Sequence, residues 1–271
     1  MRQSIILFLL VLTFNNAFSQ NERIQFILDS IVKEADLMYK NEKVAWESSD
    51  LLMAKKFDMT NYGGYVVTLS SDSITITHLN QNMDESVARF TYVSEDLKNP
   101  VISSYKSSAL TSSEKELQSI KFSILEQLYN DKLDVIIPLD YSPNFVLIKD
   151  GQFFRLYIIM GTTQSGVIPF GKDYLFIADA TGKIISWKKL HSTMIPIKTQ
   201  TAQSQKVFAS VHSHLPTTPY IPATDICTFR LYAPGCGMKT FTVFCTATKQ
   251  YYQYNMDENK IEIIGQKLEQ Y

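Results

Sequence analysis

Apolar side chains first recur at helical spacing along this chain and then change to the alternation that is typical of strands. Over residues 22–56 they fall three or four positions apart, which predicts a long amphipathic helix. The pair Gly63-Gly64 breaks that pattern. A second helix is predicted over residues 111–130, with Ser113 and Glu116 spaced as an N-terminal capping box.

Most of the other segments are patterned as strands joined by turns. Turn signals at 149–151 and 179–182 predict two hairpins, and a short helix is predicted from 223 or 224 to about Tyr232, where Pro234-Gly235 ends it. An exposed polar loop is predicted at 199–205. The predicted strands are 65–69, 73–78, 87–92, 145–148, 153–159, 174–178, 183–187, 207–211, 240–245, 251–254 and 261–264.

This order of elements predicts an α+β fold with mostly antiparallel sheets. A signal peptide is predicted at 1–19, because Arg2 precedes an apolar run from Ile5 to Phe14 and small residues stand before Gln20. We therefore expect a secreted or periplasmic protein without a later transmembrane segment; an uncleaved N-terminal membrane helix is the alternative. The mature chain divides into an N-terminal α+β region, 20–140, and a C-terminal β-rich region, 141–271, or forms one continuous domain.

Charge and cysteine content narrow the classes of partner and site. The formal net charge is −1 with scattered cations, so a nucleic-acid or anionic-membrane partner has no electrostatic support. No pattern predicts an oligomeric state. Cys227, Cys236 and Cys245 lack the close pairing that most zinc sites use, which favours buried thiols or one disulfide.

The segment that points to chemistry is His212-Ser213-His214, followed eleven residues later by Asp225. Alternate residues of a strand share a face, so both imidazoles project together, and Asp225 lies in the first turn of the predicted helix. Two imidazoles and one carboxylate suit zinc and leave a fourth position for water. The alternative is a chance H-x-H, with Asp225 placed only to favour the helix N-terminus.

This spacing resembles the motif of the JAB1/MPN (JAMM) metalloproteases, in which H-[ST]-H-P is followed by S-x-x-D. The resemblance implies that His212, His214 and Asp225 bind zinc, that a Glu from an earlier strand is the general base, and that a Ser stabilises the oxyanion. Pro222 stands at the Ser position, and Thr224 is the nearest alternative donor. Leu215 replaces the usual Pro after the second His.

The chain also departs from that motif in its carboxylates. No Glu occurs between Glu126 and Glu258. In the family the base lies some tens of residues before the histidines, and the candidates that this chain offers there are Asp150, Asp173 and Asp179. Asp179 has a second explanation as the first residue of a hairpin turn. The pattern therefore indicates either a diverged member of the family or a catalytically inactive relative that kept its metal.

A second resemblance brings in His191. The segments Gly171–Leu175, Lys188–His191 and His212–Pro216 are similar to a group of exported proteins of Bacteroidetes-type bacteria, a resemblance that implies no activity. His191 is a candidate for an additional ligand or proton carrier, or else a structural histidine. A Cys227–imidazole nucleophile pair is a weaker alternative, since Cys227 is expected in the core.

Two functions follow from these patterns. The first is an exported zinc-dependent hydrolase that cleaves an amide or isopeptide bond, either active or degenerate, with Asp173, Asp179, His191 and Thr224 as candidate catalytic residues. The second is a non-enzymatic binding or envelope-associated protein whose β-rich surface contacts a protein or glycan.

Overall fold

The computed structural model of this chain describes residues 2–130, 133–199, 211–214 and 218–265. It contains three α-helices: α1, Arg2–Ala54; α2, Ser112–Asn130; and α3, Ala223–Tyr232. Short 3-10 turns lie at Met59–Asn61 and Ala233–Cys236. Within the described ranges, none of the helices combines the length and apolar character needed to cross a membrane.

In the described parts of the chain the strands form four sheets, and every pairing but one is antiparallel, so the predicted α+β class is confirmed. The first sheet has the order β1-β2-β3-β4, with β5 also paired to β3. Its strands are β1, Gly64–Leu69; β2, Ser73–Leu79; β3, Glu85–Val93; β4, Ile102–Ser104; and β5, Ser108–Ala109.

The second sheet, in the order β10-β9-β7-β6, contains both predicted hairpins. Two further strands, β8 and β11, form a separate ribbon that the sequence pattern did not predict. The strands are β6, Ser142–Asp150; β7, Phe153–Gly161; β8, Val167–Gly171; β9, Tyr174–Ala178; β10, Ile184–Lys189; and β11, Met194–Lys198.

The fourth sheet holds the single parallel pair and has the order β12-β13-β14-β15. Because β12 and β13 run parallel, the chain must cross over between them, and α3 is the crossover helix. Its strands are β12, Val211–His214; β13, Thr240–Cys245; β14, Gln250–Asn255; and β15, Lys260–Ile263. Most of the predicted strand 207–211 lies outside the described residues.

Helix α3 is held against α1 by apolar packing and by ionic contacts. Ile226 and Phe229 are fully buried in the same apolar cluster as Leu28 and Met38 of α1. On the polar side, the Arg230 guanidinium pairs with Asp36 and lies 4.0 Å from the centroid of the Tyr39 ring. The N-terminal and C-terminal parts of the chain therefore share this core, which fixes the start of α3 beside the end of β12.

Several smaller expectations differ from the structure. The N-terminal capping box of α2 is formed by Thr111 and Glu114 instead of Ser113 and Glu116, because the helix begins at Ser112. Glu116 instead forms an ion pair with Lys149 at 2.6 Å. In the loop predicted to be exposed, Thr199 is buried, and residues 200–205 lie outside the described residues.

Glu114 also gives the first sheet a stability that depends on pH. Its carboxylate accepts hydrogen bonds from Arg89 at 2.8 Å, from the Thr77 hydroxyl and from the Thr111 N–H. Burial alone raises the pKa of Glu114, but these bonds outweigh it and lower the pKa from 4.5 to about 2. The contribution of ionised Glu114 to the stability of the fold is therefore fully present above pH 4.5 and is lost as the pH falls towards 2.

We expect Glu114→Gln to destabilise the protein at pH 7 by about 1.5–3 kcal/mol, since it removes the charged acceptor of the hydrogen bonds from the half-buried Arg89. The difference from wild type should shrink between pH 5 and pH 3. Urea unfolding of both proteins across that range measures it. A difference that does not change with pH would contradict the role given to the carboxylate.

Candidate metal centre

The end of β12 and the start of α3 bring His212, His214 and Asp225 together. Nε2 of His212 lies 2.9 Å from Oδ2 of Asp225, and Nε2 of His214 lies 3.2 Å from the same oxygen. The two Nε2 atoms are 3.1 Å apart. This convergence follows from the crossover, because a helix that returns to a parallel strand starts beside the carboxyl end of the strand before it.

His191 completes the group from a different part of the chain. Its Nε2 lies 2.9 Å from Nε2 of His214 and 3.7 Å from Oδ2 of Asp225. One donor atom from each of the four residues lies within 4.8 Å of every other, so His191, His212, His214 and Asp225 are positioned to bind a metal ion. We call these four residues the metal centre.

The metal centre is buried. The exposed fractions are 6% for His191, 8% for His212, 2% for His214 and 1% for Asp225. The His212 ring also packs against the rings of Phe170 and Phe241, with centroids 5.3 and 6.2 Å away. The carboxylate of Asp225 needs a positive partner in such surroundings, which a protonated imidazole or a bound cation would supply.

Charge within the centre keeps Asp225 ionised. Burial alone raises the pKa of this carboxyl, but the charge of His191 and the hydrogen bond from His212 hold the pKa well below its usual range. For His191, burial lowers the pKa, while Asp173 and Asp225 together raise it to about 9. Asp225 is thus present as the carboxylate that metal binding requires, and His191 must lose a proton before its Nε2 can bind an ion.

Two of the three imidazoles are oriented by partners on their far side. Nδ1 of His191 lies 2.6 Å from Oδ1 of Asp173, and Nδ1 of His214 lies 3.0 Å from the carbonyl oxygen of Tyr220. Such contacts place a proton on Nδ1 and turn Nε2 towards the ion. Nδ1 of His212 has no hydrogen-bond partner among the described residues.

Asp173 is itself buried and held on both oxygens. Its Oδ2 accepts a hydrogen bond from the hydroxyl of Thr224, which neighbours Asp225 in α3. Asp173 stands at the open end of the β9–β10 hairpin, where its carbonyl oxygen accepts a hydrogen bond from the Leu190 N–H at 3.0 Å. His191 follows directly, so the hairpin sets the Asp173–His191 contact.

Gly171 shapes the chain just before Asp173. Its φ is +92°, and a Cβ added there would lie 2.2 Å from the carbonyl oxygen of Thr193. Only glycine tolerates both that conformation and that close approach. This explains the glycine at the start of the Gly171–Leu175 segment.

The other candidates lie apart from the metal centre. Asp179 occupies the hairpin turn, where its Oδ1 accepts from the N–H groups of Thr181 and Lys183 at 2.8 and 3.1 Å. Asp150 is exposed and pairs with Arg155. Cys227 is buried in α3, and burial raises the pKa of its thiol well above the usual range, which opposes a role as nucleophile.

The three cysteines are unbridged: Cys227 and Cys245 are buried thiols, and Cys236 is half-buried. Of the two options that the sequence left open, the structure has free thiols.

Comparison with protein-family models, with curated proteins and with solved structures gave no match to this chain.

Proposed function

We propose that this chain is an exported zinc-binding protein in which the ion is held by all four residues of the metal centre and stabilises the fold. The observation that carries the proposal is the convergence of three Nε2 atoms and one carboxylate oxygen within 4.8 Å of one another. The resemblance to the JAMM motif adds support, since it implies three of the same ligands: His212, His214 and Asp225.

Zinc is the ion that this donor set suits best. Tetrahedral coordination at Zn–N and Zn–O lengths near 2.0–2.1 Å separates neighbouring donors by about 3.3 Å. Five of the six separations between donors run from 2.9 to 3.7 Å, on both sides of that value, and all six are within 4.8 Å. Imidazole nitrogen with a single carboxylate is a common zinc environment, whereas calcium and magnesium prefer oxygen ligands.

A structural role is favoured over a catalytic one by His191. Catalytic zinc sites keep one coordination position for water, while structural sites are closed by a fourth protein ligand. Nε2 of His191 lies 2.9 Å from Nε2 of His214 and 3.7 Å from Oδ2 of Asp225, within reach of a shared ion, and the whole group is nearly inaccessible to solvent. The chain also lacks a Glu in the window where the JAMM resemblance would place the base.

A second candidate function, zinc-dependent amide or isopeptide hydrolysis, is favoured by the Asp173–His191 pair. An imidazole backed by a carboxylate is a common proton carrier, and the Nδ1–Oδ1 contact of 2.6 Å is of that kind. In this alternative, three residues would hold the ion, and His191, lying beside it, would accept the proton of the attacking water after releasing the one it carries. Protein or peptide substrates are then implied.

Elemental analysis together with an assay on a peptide and isopeptide panel separates the two candidates. We expect the mature protein to contain one zinc per chain and to show no hydrolysis above the metal-free control. Hydrolysis that requires zinc and disappears in His191→Ala would replace the structural proposal by the second candidate. A purified chain that neither contains zinc nor takes it up would contradict both.

Asp173 is expected to act on the ion through His191. Replacing it by Asn removes the carboxylate that orients the ring, and losing such a partner commonly lowers metal affinity 10- to 100-fold. Competition with a chromophoric chelator measures the change. Asp179→Asn is the matched control, because that carboxylate lies in the hairpin turn, and its zinc affinity should equal that of wild type.

Equal affinities for Asp173→Asn and Asp179→Asn would show that Asp173 does not position the ligand. A loss of zinc affinity in Asp173→Asn alone would identify Asp173 as the aspartate that acts on the site, a distinction that the sequence does not make.

A further inference from the structure

A second cavity, separate from the metal centre, lies between α2 and the first sheet. Its volume is about 260 Å³, and it extends to the turn after β2 and to β6. Most of its lining is apolar: Leu79, Met83, Phe122, Leu125 and Phe145. Phe122 lies at the surface and is 48% exposed. None of the metal-centre residues lines this cavity.

Lys121 is the charged residue of the lining. Its Nζ donates a hydrogen bond to the carbonyl oxygen of Tyr65 at 3.2 Å and lies 4.3 Å from the centroid of the Tyr65 ring. An ammonium carries three donors, and within the described ranges this is the one hydrogen bond it makes. Lys121 therefore has donors left for a further acceptor.

Of the other polar groups of the lining, Gln118 is a neutral amide, and the two tyrosine hydroxyls are already engaged. The Tyr62 hydroxyl pairs with Nδ1 of His78 at 3.2 Å, and the Tyr65 hydroxyl donates to Glu42 at 3.2 Å. Glu42 attracts Lys121 electrostatically but does not line the cavity. Lys121 is thus the group by which this cavity could recognise a charge, and the charge must be negative.

We propose that this cavity binds a small amphiphilic carboxylate, whose apolar body lies among the Phe122, Leu125 and Phe145 side chains and whose carboxylate pairs with Lys121. Ligand sites are commonly apolar hollows with a few polar groups that fix orientation, and this one has that composition. A charge-assisted hydrogen bond in apolar surroundings is stronger than one in water, so Lys121 would favour an acid over a neutral molecule of the same length.

Isothermal titration of the full-length chain with octanoate and with 1-octanol, both at pH 7, tests this. We expect octanoate to bind at least tenfold more tightly than the alcohol. Lys121→Met should abolish that preference, while the alcohol binds as before. Lys149→Met is the matched control, because Lys149 is exposed and paired with Glu116 outside the cavity, and it should keep the preference.

The proposal is overturned if the wild-type chain binds both ligands equally or binds neither, or if Lys149→Met loses the preference as Lys121→Met does. Should Lys121→Met fail to fold, Phe122→Ser decides the matter, since that side chain is largely exposed. Several-fold weaker binding of both ligands to Phe122→Ser supports the cavity, and unchanged binding overturns it. Zinc content, measured alongside, should be the same in all variants.

Discussion

His214→Ala should abolish stoichiometric zinc binding and lower the melting temperature by about 5–10 °C. His214 has the shortest contacts with the rest of the metal centre, at 2.9, 3.1 and 3.2 Å, so its loss removes the donor nearest to all the others. When the free ion is present at a concentration of 100 times its dissociation constant, its binding stabilises the folded state by about 2.7 kcal/mol. For a chain of this size, each kcal/mol corresponds to roughly 2–4 °C.

His78→Ala is the matched control for this loss, because it also removes a buried histidine. His78 lies away from the metal centre, where it is hydrogen-bonded to Ser48 at 2.8 Å and to Tyr62. Burial lowers the pKa of His78 to about 4. That variant should be destabilised yet retain one zinc per chain. Calorimetry with and without a chelator completes the test: the chelator should lower the melting temperature of wild type and of His78→Ala, but not that of His214→Ala. Loss of zinc from both variants would mean that any core damage releases the ion.

His191→Ala should weaken zinc binding by more than the 10- to 100-fold expected for an outer partner such as Asp173. The reason is that a direct ligand is lost and water must enter a buried space. Exogenous imidazole, which can occupy the space left by the ring, should restore much of the affinity. The measurement is a chelator competition at rising imidazole concentrations.

The absorption of the cobalt-substituted protein provides a readout that a merely structural role of His191 would not affect. A change in the visible spectrum of His191→Ala, reversed by imidazole, places the ring on the ion. An unchanged spectrum, with zinc affinity equal to that of wild type, would show that three residues hold the ion and that His191 lies beside it. The Thr224→Val variant, which loses only the hydroxyl that contacts Asp173, should resemble wild type in its spectrum.

The sequence could predict His212, His214 and Asp225 as neighbours because local rules are enough. Residues two apart on a strand share a face, and the short helix begins where its turn and apolar pattern indicate. What the pattern could not supply was the parallel pairing of β12 with β13, which makes α3 a crossover. That pairing depends on contacts far apart in the chain.

The sequence indicated His191 and Asp173 as candidates but did not predict that they contact each other. A register shift in the β9–β10 hairpin explains why. The β9–β10 hairpin contains a bulge between Ile184 and Ser186, after which Lys189 pairs with Tyr174. A hairpin closed without the bulge would place other residues at its open end. Since bulges have no reliable sequence signal, the contact between Asp173 and His191 required the structure.

Strands β8 and β11 were missed because each contains a proline. Pro169 and Pro196 are directly opposite each other in a two-stranded ribbon. Proline within an apolar run argues against a central strand, but a two-stranded ribbon has only edges and tolerates it. This ribbon ends at Gly171 and so leads the chain to Asp173.

The free thiols of Cys227, Cys236 and Cys245 bear on what joins the parts of this chain. Secreted domains often rely on covalent cross-links, whose persistence is set by the reduction potential of their compartment. Here the proposed link between the hairpin, β12 and α3 is an ion. Its survival would depend on how much zinc the surroundings supply, and reductants would leave it intact.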